Sequence, residues 1–269
     1  MMQKDEKKEK KRLMWRFILK GQCDFIHEEQ KTARFFIELA WAFVVAMIIR
    51  SFLIQPFIIP TGSMIPTILI GDFVFVNKTA YGYTKHSFPL QMIPFEGRIF
   101  AKDPEVGDVI CFNNPKDEGK DYTKRCVAKA GDRVQMKGGK LNINGKELAL
   151  EFVKKIPHTN SRGKTLIVEE YIETLPNGVK HPIYKESFGG HTFDETEELV
   201  VPEDHFFGMG DNRDDSADSR CEQILGFIPG KNLIGKIVLR WMSIEGARWW
   251  AVWEWPWTIR YSRIGTLVH

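Results

Sequence analysis

No two histidines in this 269-residue sequence stand at metal-ligand spacing, and its four cysteines are too scattered to frame a zinc site, so no metal and no cofactor is expected. The acid-rich stretch GDNRDDSADSR (210–220) has the oxygen density of a calcium loop. It lacks the alternating ligands, glycine turn and distant glutamate that such a loop needs, and reads instead as a turn network of buried ion pairs. SRGK at 161–164 matches S-x-x-K, yet its glycine and polar neighbours make it a loop, and no S-D-N element accompanies it. The GKT within it lacks the upstream glycine of a phosphate loop, whose place His158 takes. There is no internal repeat and no low-complexity segment. After Leu53 there is no long stretch of helical period, which argues against a helical body.

An excess of positive charge is lacking outside one segment. Residues 1–34 hold ten Lys/Arg against six Asp/Glu, and the remainder holds 28 against 29. A basic run of this kind is either a nucleic-acid arm or the cytoplasmic flank of a membrane span, and the residues next to it decide between the two. From Phe35 to Leu53 only Glu38 and Arg50 interrupt the apolar character. Nineteen residues at about 1.5 Å each reach about 28 Å, close to the hydrocarbon thickness. The alternative is a buried core helix, because the uninterrupted run Leu39 to Ile49 is by itself short for a span. The apolar run is not succeeded by a small-residue cleavage pattern, so the segment reads as an uncleaved anchor with the tail inside and the chain beyond about residue 55 outside the cytoplasm. Of the cysteines, Cys23 then lies inside. Cys111, Cys126 and Cys221 form an odd exported set in which at most one disulfide can close.

The body, with 43% hydrophobic residues over the whole chain, can bury a core. It reads as short strands between tight turns: DFVFVNK, GDVICF, TKRCVAKAGD, GGKLNINGKEL and LIGKIVLRWM, with NING between Leu141 and Leu148 as a hairpin signal. A more polar stretch from about 150 to 198 has the look of an inserted, hairpin-rich subdomain. The C-terminal RWWAVWEWPWTIRY crowds its aromatics outside any alternating strand, as either core packing or membrane contact would.

Two residues invite chemistry. FIIPTGSMIPTIL (57–69) brackets a glycine and Ser63 with Pro60 and Pro66, too punctuated for a helix and too apolar for a solvated loop. A serine needs a base. In DYTKRCVA, alternation places Tyr122, Lys124, Cys126 and Ala128 on one strand face and Thr123, Arg125 and Val127 on the other, so Lys124 has apolar company that can lower its pKa. A lysine in a strand is otherwise an ordinary solvated edge residue. His205 with a nearby acid would make a Ser-His-Asp site, which nothing beyond the presence of those residues supports.

Four blocks in order, QPFIIPTGSMIPTILIGDFVFVNK, GDVICF, DYTKRCVAKAGD and FFGMGDNRDDSADSR, resemble the bacterial type I signal peptidases, membrane-anchored Ser-Lys proteases that remove signal peptides from exported proteins. The resemblance implies Ser63 as nucleophile and Lys124 as general base, with the Ser63 amide and the Thr61 hydroxyl holding the oxyanion. It further implies Ser216 as the serine that orients the lysine, and Asp211, Asp218, Arg125 and Arg220 as supporting ion pairs. Phe57, Ile59, Met64, Ile68, Val74, Cys111, Tyr122 and Thr123 match the substrate pockets, which take an extended strand with small residues, typically alanine, at the first and third positions before the cut. The chain departs from the family pattern at Thr61, where serine is more usual, at Asp215, where asparagine is usual, at AKAGD, and at CEQIL before Gly226. Asp215 is therefore expected to alter the charge near Lys124.

The expected fold is mainly β: an N-terminal transmembrane helix followed by an antiparallel, barrel-like catalytic domain. The expected divisions are a tail at 1–34, an anchor at 35–54, a catalytic domain at 55–136 and 199–269, and an inserted subdomain at 137–198. The expected partners are preproteins with Ala-X-Ala sites and membrane lipid, with no nucleic acid, at the cytoplasmic membrane of a bacterium. Ser63 lies ten residues past Leu53, at most about 36 Å of extended chain, which keeps it near the outer bilayer surface. Two alternatives compete: a self-cleaving Ser-Lys repressor, against which the anchor argues, and a tethered β-domain that binds exported peptides without cutting them.

Overall fold

The structure is a computed structural model that describes residues 32–88, 95–117, 119–161, 163–245 and 250–268. The expected basic tail falls almost wholly outside them, as do Cys23 and part of the tryptophan-rich segment. The chain divides into two units, 1–49 and 50–269. In the first lies most of helix α1 (Thr32–Phe52), long and apolar enough to cross a membrane. Its large side chains, among them Phe36, Trp41 and Phe43, are exposed around the helix. That is not the burial of a core helix, which hides its apolar side chains in the protein.

The second unit is built of strands β1 (Ile54–Ile58), β2 (Asp72–Asn77), β3 (Val109–Asn113), β4 (Asp121–Lys129), β5 (Arg133–Lys137), β6 (Lys140–Ile143), β7 (Lys146–Glu147), β8 (Ala149–Thr159), β9 (Thr165–Thr174), β10 (Lys180–Lys185), β11 (Leu199–Val200), β12 (His205–Met209), β13 (Ile228–Pro229), β14 (Leu233–Ser243) and β15 (Thr266–Leu267). All five sequence blocks read as strands fall on strands. The principal sheet runs β1-β2-β14-β3-β4-β12-β13, with β15 also on β14, and its paired strands are antiparallel. Register shifts along β14, between Ile237 and Leu239 and again between Arg240 and Met242, bend and curl this sheet. β3 is buried at every position, which is why VICFN reads as an unbroken rather than alternating apolar run.

Two smaller sheets complete the unit, β10-β9-β8 and β11-β5-β6-β7. The pairing of β5 with β6 runs across residue 137, where the sequence suggested the insertion begins. The NING signal is realised as the β6–β7 turn, with Asn144 at φ 53° and Gly145 at φ 77°, the pair of positive values that a type I′ hairpin requires. β8 and β9 form a long hairpin whose rungs run from Ala149↔Thr174 to Thr159↔Thr165, and β8 is its open edge. Lysines on that edge, Lys154 against Glu170 and Lys155 against Glu169, keep it from recruiting another strand.

Alternation along β4 fails at one point. Phe207 pairs Ala128 whereas Gly208 pairs Cys126, so Val127 is an extra, bulged residue. As a result Cys126 packs with Phe112, Phe206 and Ile228, while Val127 and Ala128 both join Met136, Leu141 and Phe207. A third cluster, with Ile59, Met64, Ile68, Val74 and Cys111, lies between the first strands and β14. Cys111, Cys126 and Cys221 are all buried free thiols. Burial pushes the Cys111 and Cys126 thiols up, out of the range in which a thiolate reacts. Trp250, Trp253 and Trp257 are exposed, so these three are not core residues.

Candidate active site

β1 runs, in chain direction, toward one cleft of about 480 Å³, and β4 starts at it and runs away. The segment after β1 supplies Pro60, Thr61, Gly62, Ser63 and Met64 to it, and the start of β4 supplies Asp121, Tyr122, Thr123 and Lys124. Phe57, Ile59 and Cys111 also line it. Ile68 and Val74, expected in the pockets, do not line it. They are wholly buried in the cluster that also holds Ile59, Met64 and Cys111, and so support the cleft from behind.

The serine turn is held by its backbone. Ile65 N donates to Gly62 O at 3.1 Å and Ile68 N to Met64 O at 2.9 Å. From the acid-rich loop, Asn212 N donates to Ser63 O at 3.0 Å and Asn212 Nδ2 to Gly62 O at 3.2 Å. Asn212 was not singled out from sequence. Its signal, a side-chain amide two residues past a glycine, is indistinguishable from any other turn asparagine.

Three lysines are buried among the described residues, and they are used differently. Lys78 Nζ donates to Ser87 O, and Lys185 Nζ pairs with Asp194 and Asp214, each at 2.6 Å. Lys124 lines the cleft, and no carboxylate among the described residues closes an ion pair on it. Burial pushes its amine down from 10.5 to about 8, with Arg220 acting the same way and Asp218 and Asp211 opposing. Asp215 lines the same cleft as Lys124 without pairing with it; its carboxylate accepts from Ser161 N at 2.7 Å and from Ser161 Oγ, which links it to the tip of the β8–β9 hairpin.

The remainder of the 210–220 block is the predicted ion-pair network. Arg125 grips Asp211 with two hydrogen bonds, Nε to Oδ1 at 2.9 Å and Nη2 to Oδ2 at 2.8 Å. Arg220 grips Asp218 in the same way, at 2.8 Å in both bonds, and Asp218 also accepts from Gly210 N at 3.0 Å. Against the cost of burial, these arginines hold both carboxyls below the usual range. The sequence did not show that the network continues: His181 lies between Asp211 and Glu173, at 3.3 and 3.1 Å, and Arg213 forks onto Glu173. Ser216 Oγ is buried and makes no hydrogen bond among the described residues, so its expected bond to Lys124 is not formed here. His205 Nδ1 lies against Glu203 O, away from the cleft lining.

A hydroxyl on a braced turn and a buried amine near neutral pKa, lining one largely apolar cleft, define a site equipped for base-assisted nucleophilic chemistry. Residues 32–242 match the family described as "Signal peptidase, peptidase S26". The signal peptidase I of Rickettsia felis is 38% identical over 218 residues, covering 78% of this chain and 79% of the relative. That of Rickettsia prowazekii is 35% identical over 234 residues, covering 84% and 86%. A solved signal peptidase I from Enterococcus faecalis V583 is 23% identical and aligns over 50% of this chain and 97% of its own, with a TM-score of 0.30. The chain belongs to the S26 signal peptidase family.

Proposed function

We propose that Ser63 is the nucleophile and Lys124 the general base of a membrane-anchored protease that removes signal peptides from exported preproteins. The carrying observation is that, of the three buried lysines described, Lys124 is the one left unpaired, and it lines the cleft that Ser63 lines. Unprotonated Lys124 takes the hydroxyl proton as Ser63 Oγ attacks the scissile carbonyl. The tetrahedral oxyanion is received by the Ser63 amide and Thr61, and the proton passes to the departing amine. Water then attacks the acyl-enzyme by the same route and releases the signal peptide. The preprotein lies extended over the apolar side of the cleft, its small residues before the cut against Phe57, Ile59, Met64, Cys111, Tyr122 and Thr123. Ser216, once the substrate is seated, bonds and orients Lys124.

Helix α1 is the anchor, the basic tail stays in the cytoplasm, and the catalytic unit works outside it, where the exposed Trp250, Trp253 and Trp257 meet lipid headgroups. The test is cleavage of a preprotein carrying an Ala-X-Ala site by the detergent-purified chain. Cutting after the second alanine is expected from wild type and none above background from Ser63→Ala; an inert wild type would favour the peptide-binding alternative.

Gly210 gives a second, independent check. A Cβ at this position would collide with Ser216 Oγ and lie 2.5 Å from Ser63 O. Gly210→Ala should therefore displace both the orienting serine and the nucleophile's backbone. A stability loss of about 1–3 kcal/mol is expected from overpacking, read by thermal unfolding. The loss in kcat should be about 10²-fold, the scale for displacements near 1 Å.

A further inference from the structure

Beyond the serine turn the cleft adjoins a second cavity. Ser161, Asp215 and Ala217 line the cleft, and the same three residues line the second cavity, of about 570 Å³. The two cavities therefore share a wall, formed by the link in which Asp215 accepts from Ser161 N and Oγ. They differ in chemistry. The cleft on the β1 and β4 side is lined by Phe57, Ile59, Met64 and Tyr122, while the second cavity is lined by Lys164, Glu186, His191, Arg213 and Asp214 among others. Several of these charges are already spent: Arg213 on Glu173, Asp214 on Lys185, Arg220 on Asp218. Asp215 is bonded to the neutral donors of Ser161, and no cation among the described residues closes an ion pair on it at the wall the two cavities share, although Lys164 lines the second cavity with it.

We propose that the polar cavity beyond the Ser161–Asp215 link receives the polypeptide on the far side of the scissile bond, and that the Asp215 carboxylate selects against acidic residues in the first positions after the cut. The inference rests on the protease reading above. A substrate strand with its small apolar residues along β1 and β4 passes Ser63 and Lys124 and meets this shared wall next, and the segment beyond the cut, the start of a folded, water-soluble protein, suits a polar lining. A carboxylate lining the path repels another carboxylate in a partly dry groove far more than it would in bulk water. Neither Ser161 nor Asp215 takes part in bond making; they act on which chain can be seated.

The test compares peptides identical up to the cut that carry aspartate or asparagine at the second or third residue after it. Wild type is expected to cleave the asparagine peptides with kcat/KM about 5–10-fold higher. In Asp215→Asn, which keeps an oxygen to accept from Ser161 but loses the charge, the ratio should fall to within about twofold. Ser161→Ala, which keeps the charge, should retain the wild-type preference. A purely structural role for Asp215 would alter all peptides alike, and an unchanged ratio in Asp215→Asn overturns the proposal. Failure of wild type to cut the asparagine peptides, or cutting by Ser63→Ala, would instead overturn the protease reading.

Discussion

Lys124→Met should lower kcat/KM by at least about 10³-fold, within the range for loss of a general base, and yet yield a more stable protein. Both effects have one cause. Burial holds the amine at about 8 when its ordinary value is 10.5. The unfolded chain keeps its proton up to about 10.5 and the folded chain releases it at about 8, so between these values the unfolded state binds more protons and stability rises with pH. Below about 8 the whole penalty applies, about 3 kcal/mol. Methionine has a similar shape and no charge to desolvate, so the variant should gain about 2–3 kcal/mol at pH 6.5 and lose that advantage by pH 11. Urea unfolding at the two pH values measures this. For wild-type cleavage, kcat/KM should climb about tenfold per pH unit up to about 8 and then level, as the base loses its proton. A flat profile between pH 6 and 8 would assign the base elsewhere.

Sequence patterning singled out Ser63 and offered Lys124 only as a candidate, the family resemblance gave both their expected roles, and neither reached everything around them. A serine between prolines in an apolar turn and a lysine in an otherwise buried strand are local contradictions, visible within a dozen residues. The Asn-Gly turn and the unbroken apolar run of β3 are local too. The Ser161–Asp215 link joins residues 54 apart, and nothing in SRGK marks it as the tip of a hairpin long enough to reach the cleft. β14 enters the sheet between β2 and β3, a pairing across more than 100 residues that no short pattern encodes. The Val127 bulge shows a different limit. The strand was legible, but a single unpaired residue reversed which side chains share a face, because side-chain direction has period two. Ile68 and Val74 were matched to substrate pockets by motif, and only their complete burial shows that they back the cleft instead of lining it.

Arg125→Met should destabilise the catalytic unit by about 3–5 kcal/mol, the cost of stripping one partner from a buried ion pair. Asp211 is 1% exposed, and its carboxylate would be left with Thr67 and His181 where it now has a two-pronged guanidinium. Arg125 would also abandon Gly107 O, to which its Nη1 donates at 2.7 Å. Asp211→Leu alone should cost a similar amount, since it strands a fully buried arginine. Arg125→Met with Asp211→Leu removes both charges, and the double variant should recover much of the loss, with a coupling of about 1–3 kcal/mol in a thermodynamic cycle measured by urea unfolding. Cleavage should not recover with stability. Arg125 comes directly after Lys124 on β4, and Asp211 precedes the Asn212 that holds Gly62 and Ser63, so the pair ties the Lys124 strand to the Ser63 turn. A methionine–leucine contact has no fork to set that register, and kcat in the double variant should stay about 10–100-fold below wild type. Recovery of both stability and full activity would mean that the pair only fills space.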